Sequence, residues 1–323
     1  MSSIDRYIEA ATRDNTRRSY QSAIRHYEVE WGGLLPATAD AVARYLTDHA
    51  EKLSLNTLRA RLAALAQWHQ AQGFPDPTKA PYVRKVLKGI AMLHPAIEKQ
   101  AKPLQLEQLE SLNAWLDGQI EHAEQVGDRR LYLTHLRNRS LVLLGFWRAF
   151  RSDELSRLRV EHVAIEHGHG MTLFLPRTKG DRALSGTTFK APALPRLCPV
   201  SAYEAWVAAA DLTDGPVYRG IDRWGHLSGE GLHAGSFVPL LRTLFGAAGV
   251  PAPDSYSSHS LRRGFASWAN SSDWDLKSLM AYVGWKDVRS AMRYIDAADP
   301  FTQHRIGTEL SALSREIDRS SEA

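Results

Sequence analysis

The sequence predicts a mainly α protein, with a helical N-terminal domain and a larger α-rich domain that carries a small antiparallel β-sheet. Three observations support this. Apolar residues recur at helical spacing through the first ninety-odd positions, a proline-bearing stretch without periodicity ("HPAIEKQAKPLQ", 94–105) follows, and the period shortens to two only between Val163 and Ala191. At 323 residues and 44% hydrophobic content the chain can build two cores. The expected division is residues 1–98 as the helical domain, 99–105 as an exposed linker and 106–323 as the second domain.

In chain order, "NTRRSYQSAIRHYEVEW" sets Tyr20, Ile24, Tyr27 and Trp31 on one stripe, with Arg17, Arg18 and Arg25 off it. This is the pattern of an amphipathic helix with a basic flank. "TADAVARYLTDHA" opens at a capping Thr38 or Asp40, "SLNTLRARLAALAQWHQAQG" runs from a Ser or Asn cap to a stop at Gly73, and "PYVRKVLKGIAMLH" starts with Pro81 in its first turn. Beyond the linker, "LQLEQLESLNAWLDGQI" and "YLTHLRNRSLVLLGFWRAF" read as helices. Strands are expected at 163–165, 171–175 and around 187–191, the first two joined by a Gly-containing turn. Helices then return from Ser201 to the end, apart from an expected loop at "DGPVYRGIDRWGHLSGEG".

Charge is unevenly placed. Residues 1–102 hold 15 Lys/Arg against 10 Asp/Glu, leaving 25 against 26 in the rest, so the net charge of +4 comes from a basic front third. A local positive field of that kind suits a polyanion such as nucleic acid. No apolar run reaches the roughly 18 residues of a membrane span, and Met1 to Ala11 lack the pattern of a signal peptide, so a cytoplasmic protein is expected. The single cysteine, Cys198, has no disulfide partner and is expected to be a small buried hydrophobe.

The chemistry begins at "SYSSHSLRRGFASWAN". In a helix His259 and Arg262 share one face while Arg263 points elsewhere, and two cationic donors aimed at one spot suggest an anion. Other segments supply what a phosphate would need. "FRSDELSRLRVEHV" places Arg151 and Glu154 one turn apart, "PRTKGD" holds Lys179 on a strand-to-strand turn, and "YVGWKDVRSAMRYID" places Trp285 after Gly284 and Tyr294 nine residues on.

In that order and spacing, Arg151, Lys179, His259, Arg262, Trp285 and Tyr294 resemble the signature of the tyrosine recombinase (phage integrase) family. Trp285, where many members carry His, and the "FRSDELSRLRVEHV" segment are Cre-like. The resemblance implies a DNA strand transferase that forms a 3′ phosphotyrosine at Tyr294, assisted by His259, with Lys179 as general acid for the 5′ oxygen. It also implies two domains closing on duplex DNA at a recombination site, and a homotetramer linked by exchange of a C-terminal helix, here the segment with Ile306, Leu310 and Leu313.

The residue types fit that chemistry on their own terms. Planar guanidinium groups bind phosphate oxygens bidentately and grip harder as charge develops, which suits Arg151 and Arg262. An indole N–H can orient an oxygen but cannot exchange a proton, so Trp285 stabilises only. Glu154 cannot favour a phosphate directly and is expected to hold a catalytic cation in place. The basic residues Arg17, Arg18, Arg25, Arg59, Arg61, Arg84, Lys85 and Lys88 are the expected DNA contacts of the front domain. Covalent attachment conserves the energy of the broken bond, so no cofactor, ATP loop or metal is expected.

Alternatives remain at particular residues. Lys190 could replace Lys179 under a different hairpin register, Tyr282 is a second tyrosine near Gly284 in a segment that reads as core, and His162, His167 and His169 read as turn residues rather than metal ligands. Two rival functions share most of these features: a type IB topoisomerase, and a DNA-binding regulator without catalysis.

Overall fold

A computed structural model of the protein describes residues 14–95, 101–178 and 185–294. The chain divides into two compact units, Met1–Lys99 and Gln100–Ala323.

In the first unit, α1 (Asp14–Arg25) runs into a π-helical turn at His26–Glu30. The sequence pattern predicted one regular helix through Trp31. Instead the Trp31 amide donates to the His26 carbonyl five residues back, at 2.9 Å. The wider turn brings the buried Tyr27 ring against Trp31 and Tyr45, with centroids 5.2 and 5.1 Å away. Helix α2 (Ala39–Asp48) starts where Thr38 Oγ1 accepts the Ala41 amide, and α3 (Leu55–Ala71) where Ser54 Oγ accepts that of Thr57. Pro81 opens α4 (Pro81–Leu93). The core between them is Tyr27, Val42, Tyr45, Leu46, Leu58, Leu65, Val83 and Ile90. The buried His69 of α3 bridges the Leu65 carbonyl and the Ala37 amide, each at 2.8 Å, and so ties α3 to the loop before α2.

The second unit is built on α6 (Arg129–Trp147), which packs against α5 (Leu106–Gln125) and is buried almost throughout its second half. After α6 come a short helix, α7 (Ser152–Ser156), and the antiparallel sheet β1 (Val163–Glu166), β2 (Gly170–Leu175) and β3 (Thr187–Pro192), in that spatial order. The register pairs Val163 with Leu173 and Leu173 with Phe189, so one face of the sheet is apolar and buried. Helix α8 (Pro199–Ala209) packs on α6.

The expected loop at 214–231 contains a hairpin instead, β4 (Arg219–Ile221) with β5 (Leu227–Gly231). Asp222 Oδ1 accepts the Trp224 and His226 amides and closes its turn. The strands are short, irregular in register and rich in Gly, so no alternation marks them. Cys198 also differs from expectation: it is half-buried, and its Sγ accepts the Leu194 and Ser201 amides at the start of α8.

The described residues end in α9 (Phe237–Ala247), α10 (Ser258–Ser271), α11 (Leu276–Val283) and α12 (Val288–Met292). Leu104, inside the stretch expected as exposed linker, is fully buried, and its amide donates to the Ser260 carbonyl at the start of α10. Gly264 makes this approach feasible, because a Cβ there would overlap the Leu104 carbonyl oxygen. Among the described residues no helix is long and apolar enough to cross a membrane.

Candidate active site

The C-terminal end of α6 sets the first part of the site. Arg148 closes that helix, and Ala149, buried and at φ +51°, turns the chain in a left-handed conformation that costs an L-residue about 1 kcal/mol. The turn aims the Ala149 carbonyl at Arg262, whose Nη1 donates to it at 2.6 Å. Two residues later Arg151 precedes α7. The Glu154 carboxylate reaches back, accepting the Arg151 amide at 2.8 Å and Arg151 Nη1 at 2.7 Å. A helix-capping interaction thus fixes the Arg151 side chain as well.

Helix α10 supplies the second part. Ser257 Oγ accepts the His259 amide and the Ser257 amide donates to Ser260 Oγ, a reciprocal cap that sets the helix phase. His259 is exposed on the first turn, while Arg262, one turn on, is 1% exposed. Arg262 Nη1 lies 3.8 Å from Glu154 Oε2, so one buried carboxylate faces both guanidinium groups. Burial and the neighbouring Arg151 charge lower the Arg262 pKa to about 10, which leaves it protonated at neutral pH.

The third part follows α11, which ends at Gly284 in a left-handed conformation (φ +76°) that suits glycine. Trp285 is 5% exposed and stacks on the Tyr294 ring, with centroids 5.3 Å apart and planes at 29°. The Arg262 Cζ lies 5.1 Å from the Trp285 ring and 5.5 Å from that of Tyr294. The Tyr294 hydroxyl lies 3.0 Å from His259 Nδ1, a hydrogen bond between the two side chains best placed to exchange a proton. Trp285 Nε1 and Arg262 Nε are buried donors without hydrogen-bond partners among the described residues.

Arg151, Glu154, His259, Arg262, Trp285 and Tyr294 are therefore brought together from three separate segments. Lys179 lies outside the described residues, within the connection between β2 and β3. Lys190 is exposed on β3, on the face opposite Phe189, which packs against Phe150 (centroids 5.1 Å apart). Tyr282 is turned into the core, its hydroxyl donating to the Trp147 carbonyl at 2.9 Å and its ring stacked on Phe265. His167 Nδ1 lies 3.7 Å from Glu204, the His162 ring meets the edge of Phe174, and no group of three metal-ligating side chains is found among the described residues. The tail with Ile306, Leu310 and Leu313 lies outside them too.

In the first unit Arg18, Arg25, Arg59, Arg84, Lys85 and Lys88 are exposed. Arg17 pairs with Asp14 at 2.9 Å. Arg61 differs from the rest: it is half-buried and donates to the Tyr45 hydroxyl, which also meets His26, so part of its surface serves the core. Sequence reasoning passed over Arg148, whose guanidinium lies over the Tyr282 ring. The available signal was a cation flanked by aromatics in "FWRAF".

Comparison with known proteins adds the following. The description of the phage integrase family matches residues 123–300. An integrase/recombinase XerD homolog of Selenomonas ruminantium is 27% identical over 310 residues, covering 93% of this chain and 87% of that protein. Among solved structures, the Tn1549 transposon integrase in complex with transposon right end DNA aligns at TM-score 0.60, with 15% identity, over 93% of this chain and 95% of that one. The XerH site-specific recombinase bound to its difH substrate aligns at 0.53, with 18% identity, over 85% and 72%.

Proposed function

Because this chain belongs to the phage integrase family, the tyrosine recombinases, we propose that it is a site-specific DNA recombinase that breaks and rejoins duplex DNA through a 3′-phosphotyrosine at Tyr294. The observation that carries the reading is the Tyr294 hydroxyl, hydrogen-bonded to His259 and seated beside the buried Arg262 and Trp285.

The chemistry follows from these groups. Tyr294 Oη attacks the phosphorus as its proton passes to His259. A P–Oη bond forms and the P–O5′ bond breaks, and the 5′ oxygen leaves protonated by Lys179. Arg151 and Arg262 take up charge on the non-bridging oxygens, which is greatest in the transition state, and the Trp285 indole N–H offers a third donor. A 5′ hydroxyl from another strand reverses the step, so the energy of the bond is kept and neither metal nor ATP is required. Recombination joins two sites, which calls for four protomers, and the tail beyond Tyr294 is the segment proposed to link them. The exposed basic residues of the first unit, Arg18, Arg25, Arg59, Arg84, Lys85 and Lys88, with Arg17 and the outer part of Arg61, are proposed to hold phosphates.

The test is covalent capture. The full chain is incubated with a plasmid library of random inserts in EDTA, denatured, and the DNA linked to protein is sequenced. A recurrent site with a free 5′ hydroxyl, and a 3′ phosphate bound to the Tyr294 peptide, is expected. Binding without an adduct would favour the regulator. Adduct formation with relaxation of one circle, but no exchange between two captured sites, would favour a topoisomerase.

A further inference from the structure

Arg148 is almost fully buried, at 2% exposure, yet it has no carboxylate within ion-pairing distance among the described residues. Its guanidinium is enclosed by aromatic faces, with Cζ 3.9 Å from the Tyr282 ring centroid, 5.2 Å from Phe189 and 5.8 Å from Phe150. Nη2 donates to the Tyr282 backbone carbonyl at 2.7 Å. A buried cation without an anion is costly unless its surroundings replace water; here ring faces and a carbonyl replace it at Nη2 and over the guanidinium plane, while Nε has no hydrogen-bond partner among the described residues.

The place of that carbonyl gives Arg148 its meaning. Tyr282 and Val283 are the last residues of α11, where carbonyls lack intrahelical partners and the helix dipole favours positive charge. The Met280 carbonyl accepts the Gly284 and Trp285 amides. Two of the carbonyls that follow accept from arginines, Tyr282 from Arg148 and Val283 from Arg262 Nη2 at 3.4 Å. The helix end that leads directly into Trp285 is therefore held by two cations from the other two parts of the site. Burial lowers the Arg148 pKa, opposed first by the neighbouring Tyr282 and then by the Glu154 charge.

We propose that Arg148 is a positioning residue for the cleavage step: it fixes the end of α11 against the turn before Arg151, and so sets where Trp285 and Tyr294 stand relative to the phosphate clamp. It touches no reacting atom. Its effect runs through α11 rather than through β3, because the hydrogen bond and the closest ring contact are both to Tyr282, whereas Phe189 offers only a more distant face.

The inference rests on the recombinase reading, and the wild-type chain serves as its control. The probe is the duplex recovered by covalent capture, made as a nicked substrate that traps the adduct. Arg148→Met, close in length and apolar, is expected to keep its thermal midpoint and to bind the duplex within about twofold of wild type. Its single-turnover rate of adduct formation should fall by about 30-fold, the scale of a catalytic group misplaced without loss of binding. Arg148→Lys keeps the charge and a donor for the Tyr282 carbonyl, and should recover most of the loss. A duplex with a 5′-bridging sulfur, whose thiolate leaves without an acid, should show the same deficit, since the fault lies with the nucleophile. A wild-type rate in folded Arg148→Met, or a loss matched by weaker binding or by unfolding of both variants, overturns the proposal. Rescue by the sulfur substrate would overturn the route through α11. If wild type forms no adduct, it is the recombinase reading that fails.

Discussion

Replacing Glu154 by Gln should slow DNA cleavage without weakening DNA binding. The carboxylate, 4% exposed, accepts two short hydrogen bonds from Arg151 and lies 3.8 Å from Arg262. Glutamine fills the same space, but its one oxygen can keep only one of the two Arg151 bonds, and its NH2 must then face the other donor. One charge-assisted bond is lost, worth about 1.5–3 kcal/mol. The protein without DNA should lose about that much stability, since both guanidinium groups also lose their anion. With DNA bound, the scissile phosphate supplies negative charge to the same guanidinium groups, so affinity should hold or rise. The cleavage rate should fall by about 10- to 150-fold if the lost orientation is felt fully in the transition state. The assay pairs equilibrium binding with single-turnover adduct formation on the captured duplex, with Glu154→Asp as a variant that keeps the charge. An unchanged rate in Glu154→Gln, or rate and affinity falling together, would refute the reasoning.

Tyr294→Phe should abolish the adduct while leaving affinity nearly intact, because the lost bond to His259 is exposed and worth about 1 kcal/mol; adducts persisting in that variant would place the nucleophile elsewhere. Arg151→Ala and Arg262→Ala should each lower adduct formation by about a hundredfold or more, the usual cost of one preorganised donor, and near-normal cleavage by either would remove it from the clamp. A pH effect is expected from His135, which burial, with the nearby Arg130 and Arg137, holds below its ordinary pKa of 6.5. The unfolded chain then binds the proton more readily, so this contribution to stability is present above pH 6.5 and is lost as pH falls below it. Thermal midpoints between pH 5 and 8 should show the decline, and His135→Gln should flatten it; an equal slope in that variant would show that other groups are responsible.

The fold class was legible because its signals are local. Capping residues such as Thr38 and Ser54, the Pro81 start and the alternation in β2 and β3 each announce an element within a few positions. What escaped depends on distant partners or on irregular backbone. The β4–β5 hairpin lacks alternation, the π turn after Arg25 is set by how Tyr27 and Trp31 meet Tyr45, and Leu104 is buried only because Gly264 lets α10 approach. The site divides in the same way. The spacing of His259 and Arg262 on one helix could be read directly, whereas the contact between Arg148 and Tyr282 spans 134 positions and leaves no periodic trace. Cys198 shows the limit of composition: it was read as a hydrophobe and stands as a helix cap.

The buried Trp285 Nε1 and Arg262 Nε have a thermodynamic consequence of their own. Both donors have already given up water in the folded protein, a cost on the order of 1–3 kcal/mol per unsatisfied group. Folding therefore bears the dehydration that a phosphate oxygen would otherwise have to bring about on arrival. Natural sequence change that favoured stability alone would act against such donors. Under the proposed function, their presence marks the place where stability and DNA cleavage would pull the sequence in opposite directions. The protein should gain most from its substrate where it is least satisfied without it.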